Sequence, residues 1–367
     1  MPGPRSHVEA LARRRMDDGA GLKCAEPCGV VNSASRGSER HGRRPGYPDA
    51  MAILIDPPQW PAHGTLWSHL VSDTSYAELH AFAARLGVPR RSFDLDHYDV
   101  PASRYEQAVS LGARPVLARD VVFQLRTSGL RVRQVERDAV RPVRRREYLV
   151  AEWAGLADAV GLGGSTTAFA AWQHLGDELV ARWNEPHRAY HDERHLEDVL
   201  LALDHLATRG ERVFPATLLA AWFHDAVYVG ASGSDERDSA HLAAVSLLRL
   251  DLAPAFVQHV GELIVATTPA LPHAHTPAPL AHLLDADLSI FASPASRYTE
   301  YSLAVRREFA HVAEPEFRAG RSRILTTYLD QPAIYRTDTA RVLWEDRARG
   351  NLVREVEALR SAGPLAE

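Results

Sequence analysis

The sequence contains very little cysteine and lysine, and each absence narrows what the protein can be. The only two cysteines, Cys24 and Cys28, lie near the N-terminus, so no disulfide can form in the rest of the chain. Because structural disulfides belong to oxidising compartments, we expect a cytoplasmic protein. Lys23 is the only lysine, and every other basic side chain is an arginine. This bias is typical of a GC-rich genome and does not point to a chemical requirement.

Long hydrophobic runs and excess positive charge are also missing. No apolar run approaches the roughly 18 residues that a membrane-spanning helix needs, so we expect no membrane partner. The N-terminus is polar and arginine-rich and lacks the apolar segment of a secretory signal. The formal net charge of -5 argues against a protein that wraps nucleic acid through bulk electrostatics. With 46% hydrophobic and 24% charged residues, the composition is that of an ordinary globular protein.

The length of 367 residues predicts about two domains, preceded by a tail. Residues 1–50 are rich in Gly, Pro, Ser and Arg without an apolar period, which predicts disorder. No second ligand pair accompanies Cys24 and Cys28, which argues against a metal site there. Met51 directly precedes an apolar segment, and we hypothesise that it is the true start. We then expect a small α/β domain at 51–135, an arginine-rich linker at 136–164 and a helical domain at 165–362.

Residues 51–135 alternate between short apolar segments and helical periodicity. The pattern predicts strands at 52–55, 92–95 and 115–117, and helices at 76–86, 104–111 and 120–128. Strand–helix alternation with short connections predicts a largely parallel sheet. Histidines and aspartates cluster near the expected strand ends: Asp56, His63, His69, Asp73, Asp94, Asp96, His97 and Asp99. They are either a ligand site at the carboxyl ends of strands or ordinary turn residues.

This segment resembles a small bacterial family that is known only as a domain of unknown function. The resemblance covers residues 51–135 and rests on Ile53, Asp56-Pro57-Pro58, Trp60, Trp67-Ser68-His69-Leu70 and Asp96-His97-Tyr98-Asp99. It implies a shared fold and no established activity. The following segment, 131–147, carries seven arginines. It is interpreted as a linker or exposed helix with a solvated charged face, and a phosphate-binding patch is the alternative.

From residue 148 onward the periodicity is helical almost throughout, which predicts an all-α bundle. The segments with helical spacing are 196–206, 218–228, 239–250, 256–266, 281–290, 297–311 and 339–361. The segment 218–228 is apolar on almost every face, which predicts a buried central helix. The adjacent pair His224-Asp225 lies inside this segment.

Burying His224 and Asp225 costs several kcal/mol unless both side chains are satisfied. A hydrogen-bonded core histidine is the ordinary explanation, but a metal ion would satisfy both groups. His195 upstream and Asp287 downstream complete a set of two imidazoles and two carboxylates. Bundle metal sites are built from side chains that face inward from different helices. These ligand types suit a divalent metal such as Mn, Fe, Ni, Co, Zn or Mg better than Ca.

The helical segment is similar to the HD superfamily of metal-dependent phosphohydrolases over residues 165–360. The matching blocks are Pro186-His187-Arg188-Ala189-Tyr190-His191-Asp192-Glu193-Arg194-His195, Phe223-His224-Asp225-Ala226-Val227-Tyr228, Asp235-Glu236-Arg237-Asp238-Ser239-Ala240, Ala266-Thr267-Thr268, Leu284-Asp285-Ala286-Asp287-Leu288, Gly320-Arg321 and Ala348-Arg349-Gly350-Asn351-Leu352. The resemblance implies metal ligands at His195, His224, Asp225 and Asp287. As the carboxylate beside a ligand histidine, Asp225 would also have a catalytic role, bridging two metals or orienting the attacking water. The resemblance also implies hydrolysis of a phosphomonoester or nucleotide by metal-activated water.

The surrounding residues have weaker assignments, each with an alternative. His191, one turn before His195, would bind a second metal or the substrate, or cap the helix. Glu236 would be a catalytic base, or would only begin its helix. Arg188 and Arg237 would bind substrate phosphate, or pair with neighbouring carboxylates. His273 and His275 are candidate pocket-rim residues, and Asp285 would support the metal site or lie on the surface.

One other function is disfavoured, and two more remain open at this point. His191 and His195 have the i, i+4 spacing of a zinc protease, but Asp192 stands where that motif requires Glu. The same scaffold could carry a di-iron oxygenase or a lyase, because fold does not fix function. The bundle could instead be a non-enzymatic binding or regulatory module. The expected partner is a small phosphorylated molecule or nucleotide, and self-association into a homo-oligomer is compatible with the sequence.

Overall fold

The computed structural model describes residues 52–62, 65–269 and 276–361. The predictions for residues 1–50, Met51, His63, His273 and His275 lie outside these ranges. Within them, the chain forms two compact units, one of residues 52–88 and 92–131 and the other of residues 89–91 and 132–361. None of the helices in these ranges has the length and hydrophobicity that a bilayer span requires.

A five-stranded mixed sheet forms the centre of the first unit. Its strands are β1 (Ile53–Ile55), β2 (Trp60–Ala62), β3 (Thr65–Ser72), β4 (Tyr98–Pro101) and β5 (Arg114–Pro115). Strand β3 pairs antiparallel with β1, β2 and β4, and only β1 and β5 pair in parallel. The register places His69 of β3 opposite Asp99 of β4.

Both faces of this sheet are covered by helices. These are α1 (Tyr76–Leu86), α2 (Tyr105–Ser110) and α3 (Ala118–Thr127), with a short 3-10 turn at Ala102–Arg104. A further 3-10 turn, Arg90–Ser92, consists mostly of residues that belong to the second unit. Because side chains alternate along a strand, Ile53 and Ile55 pack with Leu79 of α1, whereas Leu54 packs with Val121 of α3. Helix α1 ends at Leu86, as predicted, and the capping residue Gly87 adopts a left-handed φ of 71°.

The predicted α/β class of this unit is confirmed, but a largely parallel sheet is wrong. Strand β3 escaped prediction because its N-terminal half is not consistently buried and its C-terminal half is buried on both faces, so no clean alternation exists. Residues 92–95 form no strand beyond an isolated bridge between Phe93 and Tyr98. Helix α3 begins before the predicted residue 120, because Leu117 occupies the N-cap position.

The second unit is an all-α bundle, as predicted, with one 3-10 turn at Gln134–Glu136 and another at Leu288–Ala292. Its helices in the described ranges are α4 (Arg137–Ala159), α5 (Thr166–Trp183), α6 (Glu193–Thr208), α7 (Pro215–Phe223), α8 (Asp235–Leu248), α9 (Pro254–Val265), α10 (Ala278–Asp287), α11 (Ala295–Glu308), α12 (Glu314–Leu329) and α13 (Asp338–Ser361). A single hydrophobic cluster runs through these helices and contains five buried tryptophans, of which Trp153, Trp172, Trp183 and Trp222 are fully buried and Trp344 is 5% exposed.

The segment expected to be a linker contains α4, which packs in the core of the bundle. The indole rings of Trp153 on α4 and Trp172 on α5 stack with centroids 4.0 Å apart. Each indole N–H donates to the backbone carbonyl of the other tryptophan at 2.7 Å. The arginine run dominated the sequence pattern, but the buried face of α4 begins only at Tyr148. Arg145 pairs with Glu197 of α6 at 2.8 Å, so part of the charged run is used inside the unit.

Candidate metal centre

Three segments of the bundle supply the four predicted ligands. His195 lies in the first turn of α6, which Asp192 caps by accepting hydrogen bonds from the Arg194 and His195 N–H groups. Asp287 is the last residue of α10. His224 and Asp225 follow the last residue of α7.

The helix that carries His224 and Asp225 is shorter than predicted. Instead of continuing to residue 228, α7 ends at Phe223, and the pair lies in the turn that follows. The carbonyls of Asp225 and Ala226 accept hydrogen bonds from the guanidinium of Arg188. Since these carbonyls are satisfied from outside the helix, the chain can leave the helical path without an unpaired buried group. The turn directs both functional side chains to the same point.

The polar atoms of these residues converge closely. The Nε2 atoms of His195 and His224 lie 3.2 Å apart. The Asp287 Oδ1 atom is 3.2 Å from the first and 3.7 Å from the second. The Asp225 Oδ2 atom is 3.3 Å from His224 Nε2 and 3.7 Å from His195 Nε2. The ligand atoms of His195, His224 and Asp287 all lie within 4.8 Å of one another. Ligands bound at about 2.1 Å in a tetrahedral site are separated by about 3.4 Å, so these three suit one cation, with Asp225 beside the two histidines.

The protonation pattern of the histidines also fits a metal. His224 Nδ1 lies 2.8 Å from the carbonyl oxygen of Ala221, which fixes the proton on Nδ1 and leaves a lone pair on Nε2. His195 Nδ1 is buried without a hydrogen-bond partner. Burial opposes ionisation of Asp287, but the hydrogen bond with His195 and the nearby imidazoles lower its pKa to about 2. Without a cation, a proton on His195 Nε2 pairs with the Asp287 carboxylate and the His224 lone pair. A divalent metal can replace that proton, so it fits this donor set.

The two histidines form the buried floor of the cluster, and the carboxylates form its open edge. The side chains of His195 and His224 are each 2% exposed, compared with 16% for Asp225 and 24% for Asp287. Trp183 lies against the His224 ring at 5.4 Å and Tyr190 against the His195 ring at 4.8 Å, measured between centroids. A ligand from solvent therefore approaches past the carboxylates, while aromatic rings close the other side.

His191 borders the cluster, and Glu308 holds its ring. The His191 Nε2 atom is 4.0 Å from Asp225 Oδ2, and its Nδ1 atom is 2.7 Å from Glu308 Oε2. Burial disfavours the charged ring, but the hydrogen bond to Glu308 and the charge of Asp225 raise the pKa of His191. His191 lies before the first residue of α6. It therefore does not share a helical face with His195, which a longer helix would have produced.

Glu308 was missed by the sequence analysis. Its Oε1 atom accepts the backbone N–H groups of Ala189, Tyr190 and His191 at 2.7–2.9 Å, and its Oε2 atom accepts the Tyr228 hydroxyl at 3.0 Å. Burial alone would raise the pKa of Glu308, but the hydrogen bonds lower it to about 2. No local pattern marks this residue, because its partners lie 80 to 119 residues away along the chain.

Arg188 was predicted to contact substrate phosphate, but its side chain lies in the interior of the bundle. Its side chain is fully buried and makes five hydrogen bonds: two to the Glu185 carboxylate and three to the carbonyls of His191, Asp225 and Ala226. A guanidinium offers five donors, so none is left for a substrate. The residue instead ties the loop that bears His191 to the turn that bears Asp225.

The other predicted residues divide between exposed and structural positions. Glu236 is buried and accepts a hydrogen bond from the Gly233 N–H, without a hydrogen bond or ion pair to the four-residue cluster among the described residues. Arg237 is exposed, and its guanidinium contacts Ser234 at 3.2 Å. Asp285 is fully buried and accepts hydrogen bonds from Arg336 and Thr337, which rules out the surface position.

Comparison with known proteins reaches only the first unit. Residues 53–128 match a family described as a protein of unknown function, DUF4031. This agrees with the predicted resemblance of the segment to a domain of unknown function. No curated protein and no solved structure matches the chain. The matched family ends before the helical bundle begins, so the first unit of this protein resembles DUF4031 domains.

Proposed function

We propose that the helical unit is a metal-dependent phosphohydrolase of the HD type. The observation that carries the proposal is the convergence of His195, His224-Asp225 and Asp287 from three separate segments on a space the size of one cation. A divalent metal bound there would lower the pKa of a coordinated water and polarise a phosphoryl oxygen. The favoured substrate is therefore a small phosphomonoester or nucleotide.

The chain's own side chains have distinct tasks in this proposal. His195 and His224 hold the cation from the buried side, and Asp225 and Asp287 hold it at the open edge. His191, whose raised pKa favours the charged ring, faces the edge with its Nε2 atom and donates a hydrogen bond to substrate phosphate or to the leaving group. Arg237 keeps the role of an exposed phosphate contact, whereas Arg188 and Glu236 act through the backbone they hold.

The test is a screen of nucleotides and small phosphate esters with Mn, Ni, Co, Zn or Mg supplied, comparing wild type with Asp287→Asn. We expect metal-dependent turnover in wild type and a loss of at least about 100-fold in the variant, because ligand removal costs no less than loss of a supporting residue. Circular dichroism checks that the variant is folded. Asp338→Asn, whose side chain is 97% exposed on α13, is the matched control and should retain full activity.

Two outcomes contradict the proposal. Wild type without turnover on the whole panel, although it binds metal, would favour the non-enzymatic binding module. Oxygen consumption with bound iron, in place of phosphate release, would favour the oxygenase alternative.

A further inference from the structure

A second cluster of histidine and aspartate lies in the first unit, far along the chain from the candidate metal centre. The antiparallel register of β3 and β4 places His69 opposite Asp99, and His97 lies just before β4. The rings of His69 and His97 are 5.0 Å apart between centroids and meet edge to face. Strand pairing therefore brings two imidazoles and a carboxylate to one place.

A buried carboxylate orients each imidazole in the same way. The Nδ1 atom of His69 lies 3.0 Å from Asp56 Oδ2, and that of His97 lies 2.6 Å from Asp96 Oδ1. The side chains of Asp56 and Asp96 are 0% and 1% exposed. A neutral histidine that donates its Nδ1 proton to a carboxylate presents the lone pair of Nε2 in a fixed direction, which is the arrangement around histidine ligands of metals.

The two carboxylates are held in place by further contacts. Asp56 accepts a hydrogen bond from the Trp60 indole at 3.0 Å, and Asp96 pairs with Arg131 at 3.2 Å. The buried charges are therefore compensated within the unit, and the orientation of both rings is set before any ligand arrives.

Both Nε2 atoms face the carboxylate of Asp99. The distances to Asp99 Oδ1 are 3.6 Å from His97 and 4.0 Å from His69, and the three candidate ligand atoms all lie within 4.8 Å of one another. These separations are slightly wider than the roughly 3.4 Å between ligands of a tetrahedral site, so a small inward movement of the exposed Asp99 would complete it. The side chain of Asp99 is 45% exposed and that of His69 is 29% exposed.

We propose that His69, His97 and Asp99 bind one divalent transition-metal cation, and that Asp56 and Asp96 orient the two histidine ligands. Each imidazole has a buried carboxylate at Nδ1 and faces Asp99 with Nε2. Without a metal, a proton on Nε2 pairs with the same carboxylate, and the cation would replace that proton. Two histidines and one carboxylate suit zinc, iron or cobalt, and they leave coordination positions open to solvent. The site belongs to the unit of unknown function and does not depend on the proposed phosphohydrolase.

The experiment counts metal ions on the full chain. The protein is stripped with a chelator and titrated with Zn²⁺ alone, and bound zinc is measured by mass spectrometry after gel filtration. Wild type should bind one equivalent more than Asp99→Asn, or the variant should bind that equivalent at least about tenfold more weakly. Asp120→Asn lies in the same unit, has a side chain 50% exposed, and should bind zinc as wild type does.

A variant of the helical centre separates this proposal from the first. In an Asp287→Asn background, Co²⁺ should still produce the visible absorption of a histidine-ligated site, and adding Asp99→Asn should abolish it. His97→Gln in the same background should have the same effect, with circular dichroism checking its fold. If the zinc count and the cobalt absorption are unchanged by Asp99→Asn in folded protein, the proposal is overturned, whatever the activity of the bundle.

Discussion

Two residues that do not contact the candidate ligand atoms position much of the candidate centre. Glu308 holds the His191 loop through four contacts, and Arg188 holds that loop to the turn after α7. The ligand types were predictable, because a histidine and an aspartate in an apolar segment demand compensation. The supporting residues were not, because acidic and basic side chains at helix ends are common and only the folded chain reveals their partners.

Glu308→Gln should reduce activity by about 10- to 100-fold without unfolding the protein. An amide has one acceptor oxygen, so it cannot accept both from the three backbone N–H groups and from His191 Nδ1. The His191 ring then loses its fixed orientation. Because Glu308 is a positioning residue, the pH dependence of kcat should shift as well, since loss of its charge lowers the pKa of His191.

Glu300→Gln is the matched control for that measurement. It lies on the same helix, α11, with a side chain 56% exposed and paired with Arg194 at the surface. We expect unchanged kcat and an unchanged pH profile. Equal effects of the two variants would show that Glu308 has no special link to the centre.

At the scale of elements, helices were predicted better than strands, for a physical reason. Helix α6 buries one stripe of leucines, which repeats along its own sequence. Strand β3 pairs with three other strands, and this pairing depends on residues distant in sequence. Helix α4 was interpreted as a linker or exposed helix because its first turns are charged, although its second half is buried.

The contact between α4 and α5 depends on a glycine. A Cβ atom added at Gly176 would lie 2.3 Å from the Trp153 ring, so the Gly176→Ala variant must displace the stacked indoles. Alanine favours helix by about 1 kcal/mol over glycine, but overpacking a core costs about 1–3 kcal/mol or more. We therefore expect net destabilisation, seen as a lower free energy of unfolding in urea.

Gly155→Ala provides the opposite case on the neighbouring helix. Gly155 lies within α4, and a Cβ atom there would have no neighbour within 4 Å. Only the helix propensity changes, so the free energy of unfolding should rise by about 0.5–1 kcal/mol. A stabilising Gly176→Ala would mean that the α4–α5 contact is looser than described.

For the whole molecule, the sequence predicted two domains and the class of each, but not which segments belong together. Residues 89–91 belong to the helical unit although they lie between segments of the first. Arg91 of this short segment donates a hydrogen bond to His205 Nδ1 of α6 at 3.0 Å. The periodicity of the sequence cannot predict that these three residues belong to the other unit, because so short a segment contains no period.

His205 makes the stability of the protein depend on pH. Burial and the positive charges of Arg91 and Arg209 lower its pKa from 6.5 to about 3. The unfolded chain therefore binds a proton that the folded protein excludes, and the free energy of unfolding falls as the pH drops from about 6.5 to about 3. One such group contributes a slope of up to about 1.4 kcal/mol per pH unit.

Urea unfolding across this pH range measures the effect. His205→Gln should reduce the slope between about pH 6.5 and about pH 5, because glutamine does not titrate. Below that range Asp287 and Glu308, with folded pKa values of about 2, add a slope of their own. His174→Gln, at a side chain 77% exposed on α5, should leave the dependence unchanged. If the free energy of unfolding of His205→Gln depends on pH as that of wild type does, other groups cause the dependence.

The buried tryptophans also give the bundle a near-ultraviolet circular dichroism signal. The chain has seven tryptophans. Four of them, Trp153, Trp172, Trp183 and Trp222, have fully buried side chains, and all four lie in the bundle. Rigidly held indoles give near-ultraviolet dichroism that vanishes when packing loosens, even if helices persist. A spectrometer can therefore follow the tightening or loosening of the helical unit without any added dye.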